Sequence, residues 1–269
     1  MKYDKDVEDL LPGPMPLREI MKGNPPVANA VFFRAKQKEL VEQYASARRF
    51  LDQTETPCWD YWFEKDDWDY KNEMAKLVHI ANFYEIALFY YNVVIDLSWA
   101  MVYVSAEYVC TIHKKRVQIT GMQPIDRANE ALREIEKHIK NPTDEEGPFD
   151  YLLKTAPSFK SPIKRTQEFW KEFVKTPIRR NYNYCKHEGK PCYVEMDELR
   201  GGRISSVKAR DDDGKLIELI TDITDAQMKL SLKEEIARLF RFDNECLYPY
   251  IKDLMDELEK IIDPSPLVR

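Results

Sequence analysis

Apolar residues recur at helical spacing along most of this chain. Between residues 27 and 51, Phe32, Phe33, Leu40, Tyr44 and Phe50 fall roughly on one side, which predicts an amphipathic helix. Residues 70–116 contain neither glycine nor proline and predict one long, mostly buried helix. The same spacing predicts further helices at about 125–140, 149–155, 161–175, 177–188 and 225–262, the last kinked or divided by Pro249 near Tyr248.

The hydrophobic period changes from helical to alternating after Gly189. Residues 192–198, 204–210 and 216–223 are typical of strands, separated by Gly201-Gly202 and Asp213-Gly214. They predict a three-stranded antiparallel insert at about 191–223. The expected fold is mainly α, a helical bundle with a long central helix and this small β insert. We expect an extended, proline-rich arm at 1–26, one domain at 27–269, and a connector of packed aromatic residues at 54–69.

Composition and charge limit the classes of function and the cellular compartments that we expect. The net charge of −6 means that no global basic field attracts nucleic acid. Five scattered cysteines favour a reducing compartment, and the charged N-terminus lacks the apolar core of a signal peptide. The most apolar stretch, 77–110, carries polar residues that are costly in lipid, so a buried core helix is favoured over a membrane span. We therefore expect a cytoplasmic protein without a membrane partner.

The candidate catalytic residues lie in the predicted helix that starts after Thr176-Pro177. Arg180, Asn183, Tyr184 and His187 follow the i, i+3, i+4, i+7 spacing and share one side of it. A permanent cation beside a group that titrates near neutral pH suits work on a phosphodiester. The alternative is a solvated helix face that contains an arginine and a histidine by coincidence.

The surroundings of this stripe are basic although the whole chain is acidic. Residues 151–190 contain ten lysines and arginines against three acids, a local charge of +7. A patch of this sign can hold a polyanion, and its candidate contacts are Lys175, Arg179, Lys186 and Lys190. A lysine-rich surface helix explains the charge equally well.

A polar stripe in the long helix is the candidate support for this site. Glu85, Asn92 and Asp96 fall at positions 0, +7 and +11, with Asn82 three residues earlier. Buried carboxylates need partners, and Arg180 or His187 would serve. The alternative is that these groups pair with other basic residues or reach solvent.

Arg180-Asn181 followed by His187 resembles the signature of the HEPN superfamily (higher eukaryotes and prokaryotes nucleotide-binding domains). That signature is an arginine and a histidine with four to six residues in all between them, the first of which is usually polar. Six residues separate Arg180 from His187 here, and the first is Asn181. The resemblance in architecture covers about 27–262, and it implies a helical bundle with the motif near the start of a late helix.

The resemblance also implies a function. Superfamily members are often metal-independent endoribonucleases of toxin–antitoxin or phage-defence systems, and they dimerise so that two motifs line one cleft. His187 would act as general base or acid, Arg180 would hold the phosphate, and Asn181 would orient the histidine or the phosphate. No cofactor or metal is expected, since Cys185, His187 and Cys192 lack the second ligand pair of a zinc site. The partners that the resemblance implies for the nuclease are RNA, a second copy of the chain, and an antitoxin or other protein. The alternative is a non-catalytic HEPN-like module that binds nucleic acid, nucleotide or a protein partner.

Overall fold

A computed structural model describes the greater part of the chain. The described residues are 3, 5–10, 25–55, 70–106, 109–112, 115–118, 142–143, 148–200, 206–210, 213–220 and 227–262. The predicted aromatic connector (apart from 54–55) and the predicted helix at 125–140 lie outside them. Within them the protein is mainly helical, as predicted.

The chain forms two compact units. The first, here called the Asn181 unit, comprises residues 47–89 and 177–241. The second, the Asp243 unit, comprises residues 2–46, 90–176 and 242–269. The predictions of an N-terminal arm at 1–26 and a single domain over 27–269 stay predictions, although a turn of 3-10 helix, Val7–Leu10, lies within the arm and buries both of its end residues.

The first two long helices match the apolar pattern, but the second ends earlier than predicted. Helix α1 is Pro25–Gln53 and helix α2 is Tyr70–Ser105. Beyond α2, strands β1 (Val109–Ile112) and β2 (Lys115–Gln118) pair antiparallel, so the prediction of helix to residue 116 was wrong. β-Branched residues are concentrated in these eight positions, and such residues favour a pleated strand over a helix.

The helices around the candidate motif begin and end close to where the prolines and glycine predict. Helix α3 is Pro148–Thr155, α4 is Lys160–Phe173 and α5 is Pro177–His187. Proline supplies no backbone N–H, which costs nothing in the first helical turn because those groups have no partner within the helix. Pro162 and Pro177 therefore mark the starts of α4 and α5.

The predicted three-stranded antiparallel insert was wrong. Strand β3 is only Cys192–Tyr193 and pairs in parallel with β6, Lys229–Leu230. The residues that follow β3 form helix α6, Val194–Leu199. The other two strands, β4 (Ser206–Arg210) and β5 (Leu216–Ile220), form an antiparallel hairpin around Asp213-Gly214, where Gly214 has φ 76°.

Residues 194–199 read V-E-M-D-E-L, which contains two helix-forming glutamates, a methionine and a leucine. Their helical propensity and the acids in the first helical turn outweigh the weak alternation that predicted a strand. The hairpin lacks the third strand for this reason.

The C-terminal helical region is divided near Tyr248, as Pro249 predicts. Helix α7 is Leu232–Phe242, a π-helical turn covers Asp243–Leu247, and α8 is Tyr248–Ile262. Because Pro249 cannot donate a backbone hydrogen bond, the regular α-helical ladder cannot pass through this point. The predicted start near residue 225 was wrong, since β6 precedes α7.

The core of the Asp243 unit is built from aromatic rings. Phe169 stacks on Tyr250 with ring centroids 3.8 Å apart, and the Trp99 and Trp170 rings meet edge to face at 4.5 Å. The Tyr250 hydroxyl lies 2.9 Å from Ser98 Oγ, so its polar end is satisfied inside the core. Such pairs add to area burial and fix α2, α4 and α8 against one another within this unit.

One described segment, Asn72–Tyr103 of α2, is long and apolar enough to cross a membrane when judged by length and composition alone. Its most apolar window has a mean hydropathy of 1.4, and 67% of that window is buried within the protein. The core helix of a soluble protein has the same character, so this segment does not by itself indicate a membrane span.

Candidate functional site

Local sequence determines where α5 ends and therefore where His187 lies. The backbone N–H groups of Glu188 and Gly189 both donate to the Tyr184 carbonyl, at 2.8 and 3.1 Å. Gly189 has φ 127°, a conformation that residues with a Cβ rarely adopt. The helix therefore stops at this glycine and leaves His187 in its last turn.

The predicted stripe lies on one side of α5, and most of it faces solvent. Arg180, Asn183 and His187 are exposed, and none of the three has a hydrogen-bond or ion-pair partner among the described residues. Tyr184 is half-buried, and its hydroxyl accepts a hydrogen bond of 3.2 Å from the Met228 N–H. The stripe thus presents a cation and an imidazole to solvent, while Tyr184 ties α5 to the segment that enters β6.

Asn181 has a different position from its neighbour Arg180. Its side chain is fully buried, and Nδ2 donates to the Tyr84 hydroxyl at 3.2 Å and to Glu235 Oε2 at 2.8 Å. Asn181 Oδ1 has no partner among the described residues. Since these contacts join α5 to α2 and α7, Asn181 holds the helix in place and does not point into the exposed stripe.

The groups that hold Asn181 form a buried polar cluster. Glu235 is only 5% exposed, and its other oxygen accepts a hydrogen bond from Arg238 one turn along α7. Burial raises the pKa of Tyr84 well above its ordinary value, and the hydrogen bond from Asn181 only partly offsets this rise. Tyr84 therefore stays a neutral phenol near pH 7, and the Glu235 carboxylate is compensated by Arg238.

Glu85, predicted to support the motif, pairs with a lysine just beyond α5. Its carboxylate accepts a hydrogen bond of 3.1 Å from the Tyr193 hydroxyl and lies 3.6 Å from Lys190 Nζ. Lys190 also donates to Asn82 Oδ1 at 2.6 Å. Glu85 thus pairs with a basic residue outside the motif, which was the alternative prediction for these acids. Through Lys190 it positions the segment after His187, and it does not contact Arg180 or His187.

Glu85 also affects the one cysteine of the motif helix. Burial, and then the charge of Glu85, raise the pKa of Cys185 to about 11. The thiol is therefore protonated near pH 7, where only the thiolate is a nucleophile. A reactive role for Cys185 has no support from this environment.

Three predicted site residues belong to the Asp243 unit. Asn92 is fully buried and Asp96 is exposed, both on the part of α2 that lies in that unit. Lys175 is exposed and donates to Glu172 at 2.7 Å. Support of the motif by Asn92 and Asp96, and RNA binding by Lys175, stay predictions.

Two of the predicted RNA-binding cations lie against a tyrosine ring. Arg179 Cζ lies 4.9 Å from the centroid of the Tyr182 ring, and Lys186 Nζ lies 5.6 Å from it. The Tyr182 ring also makes an edge contact with Phe89 of α2, with centroids 5.1 Å apart. Arg179, Tyr182 and Lys186 thus form a second row along α5, next to the exposed stripe, with one aromatic ring between two cations.

Sequence reasoning missed Glu195, which caps the start of α7. Its carboxylate accepts hydrogen bonds from the backbone N–H groups of Leu232 and Lys233, at 2.9 and 3.1 Å, and from Ser231 Oγ at 2.9 Å. Burial alone would raise the pKa of Glu195, but the backbone hydrogen bonds and that of Ser231 together outweigh it and lower the pKa. The Ser231-x-x-Glu234 pattern was an available capping signal for this helix start.

The surface also contains an open cavity of about 590 Å³, lined by residues between Pro157 and Glu168 of the Asp243 unit. None of the predicted site residues lines it. In the part of the chain that the structure describes, no group of three or more His, Cys, Asp or Glu side chains has an arrangement that would hold a metal ion.

No protein-family model matches the chain, and neither the curated proteins nor the solved structures compared with it contain a similar one. Function is therefore inferred from the geometry of α5 and its neighbours.

Proposed function

We propose that this protein is a metal-independent endoribonuclease of the HEPN-like kind, in which Arg180 and His187 act on the phosphodiester. One observation supports this above the others. Both side chains are exposed on one side of α5 and have no partner among the described residues, so both are accessible to a substrate. Buried Asn181 keeps that side of the helix turned outward.

In the proposed reaction, His187 takes the proton of an RNA 2′-hydroxyl. The 2′-oxygen then attacks the adjacent phosphorus, and the bond from phosphorus to the 5′-oxygen breaks. The leaving 5′-oxygen takes a proton from a second acid. The products are a 2′,3′-cyclic phosphate and a free 5′-hydroxyl. A histidine suits both proton transfers because it titrates near neutral pH.

Arg180 would bind the phosphate oxygens through two parallel hydrogen bonds and stabilise the charge that grows on them. Arg180 and His187 are seven positions apart in sequence, which places the two side chains about 10 Å apart along the helix axis. One phosphate is therefore reached more easily by Arg180 of one copy and His187 of another. A homodimer with two motifs in one cleft meets this requirement, and the second His187 supplies the acid.

The test is cleavage of a labelled single-stranded RNA by the full chain in the presence of EDTA. We expect wild type to leave a 2′,3′-cyclic phosphate, and His187→Ala and Arg180→Ala each to lower the rate at least 100-fold. Glu188→Gln and Arg200→Ala are matched controls, since both residues are exposed in the same unit and lie outside the stripe. Activity that survives His187→Ala, or that EDTA abolishes, contradicts the proposal.

A second candidate is a non-catalytic HEPN-like module that binds nucleic acid, nucleotide or a protein partner. The observation in its favour is that no described side chain orients the His187 imidazole, whereas a catalytic histidine is usually held by a third group. RNA binding that weakens with salt, without any cleavage by wild type, would select this candidate. A toxin–antitoxin or phage-defence role, with an antitoxin as partner, belongs to the catalytic proposal.

A further inference from the structure

Large apolar side chains reach solvent on the part of α2 that lies in the Asn181 unit. Phe89 is 37% exposed, Ile86 37% and Val78 36%. Their spacing of eight and three residues places them on one side of the helix. Single exposed apolar residues are ordinary on protein surfaces, so exposure alone does not indicate a binding site. The surroundings of Phe89, the largest of the three, distinguish it.

Phe89 lies next to the row that Arg179, Tyr182 and Lys186 form on α5. Its ring meets the Tyr182 ring at 5.1 Å with an interplanar angle of 66°, so Tyr182 supports it from the side. Tyr182 is itself only 8% exposed, and both Arg179 and Lys186 lie against its ring. The solvent-accessible ring of this pair is therefore Phe89. Arg179 and Lys186 both contact the Tyr182 ring, which in turn contacts Phe89.

An exposed ring bordered by cations fits an unpaired nucleobase. The base stacks on the ring, since every base has a π face, and the cations contact the phosphates on either side. Charge argues against an apolar protein partner for the same surface. Between residues 177 and 190 the chain carries four cations, Arg179, Arg180, Lys186 and Lys190, against the single acid Glu188. An uncharged partner would supply no counter-charge to the cations that it desolvates.

We propose that Phe89 is a stacking platform for an unpaired base of single-stranded RNA, with Arg179 and Lys186 holding the adjacent phosphates. The inference rests on the proposed function, because the adjacent Arg180–His187 stripe would then receive the same strand. It specifies the substrate as an RNA whose bases are unpaired. A duplex keeps its bases stacked on one another and offers none to Phe89.

The test measures binding of the full-length protein to a fluorescent 2′-O-methyl oligouridine, which lacks the attacking 2′-hydroxyl and cannot be cleaved. We expect Phe89→Ala to weaken binding roughly 5- to 150-fold, the range for losing one base–aromatic stack. Val194→Ala is the matched control, since Val194 is also an exposed apolar residue of the Asn181 unit, 38% exposed. Phe89→Trp retains a stacking ring, so it should bind like wild type, with extra tryptophan emission that the oligonucleotide quenches.

The outcomes separate this inference from the proposed function. Equal affinity of wild type and Phe89→Ala, or equal binding of a duplex of the same length, overturns the platform even if RNA cleavage is observed. Binding that depends on Phe89 in a protein that never cleaves RNA supports the platform and overturns the nuclease. Thermal unfolding of each variant establishes that Phe89→Ala remains folded. A folded wild type that does not bind the oligonucleotide at low salt also overturns the platform.

Discussion

Asn181 Nδ2 lies 2.8 Å from Glu235 Oε2, in a fully buried contact between residues 54 positions apart in sequence. This contact separates the roles of two adjacent motif residues. Arg180 faces solvent, whereas Asn181 turns inward and holds α5 against α7. The polar residue after the motif arginine therefore acts on the placement of the helix, and any effect on chemistry passes through that placement.

The Asn181 contact predicts a loss of stability on truncation. Asn181→Ala removes the donor to Tyr84 and Glu235 and leaves a buried carboxylate with one partner fewer. We expect the free energy of unfolding, measured by urea denaturation, to fall by about 2–3 kcal/mol. Asn183→Ala is the matched control, since Asn183 is exposed on the same helix and its loss should change stability by no more than about 0.5 kcal/mol. Equal effects of the two substitutions would contradict the structural role of Asn181.

Helix boundaries were predictable wherever a proline or glycine marked them. Pro177 and Gly189 enclose α5, and Pro249 lies where the C-terminal helix changes into α8. One boundary without such a residue was misplaced. The end of α2 at Ser105 has no glycine or proline nearby, and the strand-forming residues after it differ from helix formers only in modest propensity.

The exposed part of the candidate site was predictable, and its support was not. Helical spacing alone places Arg180, Asn183 and His187 on one side of α5, and the structure agrees. The burial of Asn181 depends on Glu235, a contact that one sequence does not reveal. Glu85 was singled out correctly as a group that needs a partner, but the partner is Lys190 and not the motif. Long-range pairing follows from tertiary packing, which local periodicity does not encode.

The cap of α7 predicts a pH-dependent stability effect. Because the pKa of Glu195 is lower in the folded state, the cap stabilises the protein fully above the unfolded-state pKa and loses its contribution as pH falls through the folded-state pKa. We expect Glu195→Gln to cost about 1 kcal/mol at pH 7, as for a lost cap. The difference from wild type should shrink under acid conditions. Glu198→Gln, on the exposed side of α6, should show no such difference in parallel urea titrations at several pH values.

The buried carboxylate of the π-helical turn predicts that tyrosine hydroxyls stabilise the Asp243 unit. Asp243 is fully buried and accepts hydrogen bonds from Tyr44 and, at 3.1 Å, from Tyr91. Tyr91→Phe removes one donor and leaves the acceptor buried, so we expect stability to fall by roughly 1–3 kcal/mol. Tyr182→Phe is the control, because the Tyr182 hydroxyl has no hydrogen bond among the described residues. A neutral effect of Tyr91→Phe would show that the other contacts of Asp243, Tyr44 among them, satisfy the carboxylate.

The environment of Cys185 predicts slow alkylation in the folded protein. With a pKa of about 11, this thiol has far less thiolate at pH 8 than an unperturbed cysteine. We expect iodoacetamide to label Cys185 roughly two orders of magnitude more slowly in the folded chain than in the chain unfolded by urea, as followed by peptide mass spectrometry. Glu85→Gln removes the negative charge beside the thiol and should accelerate labelling, although burial, the larger cause, keeps it slower than in the unfolded chain. Labelling of the folded wild type as fast as the unfolded chain would mean that the thiol is neither buried nor influenced by Glu85, and the packing of α5 against α2 would then need revision.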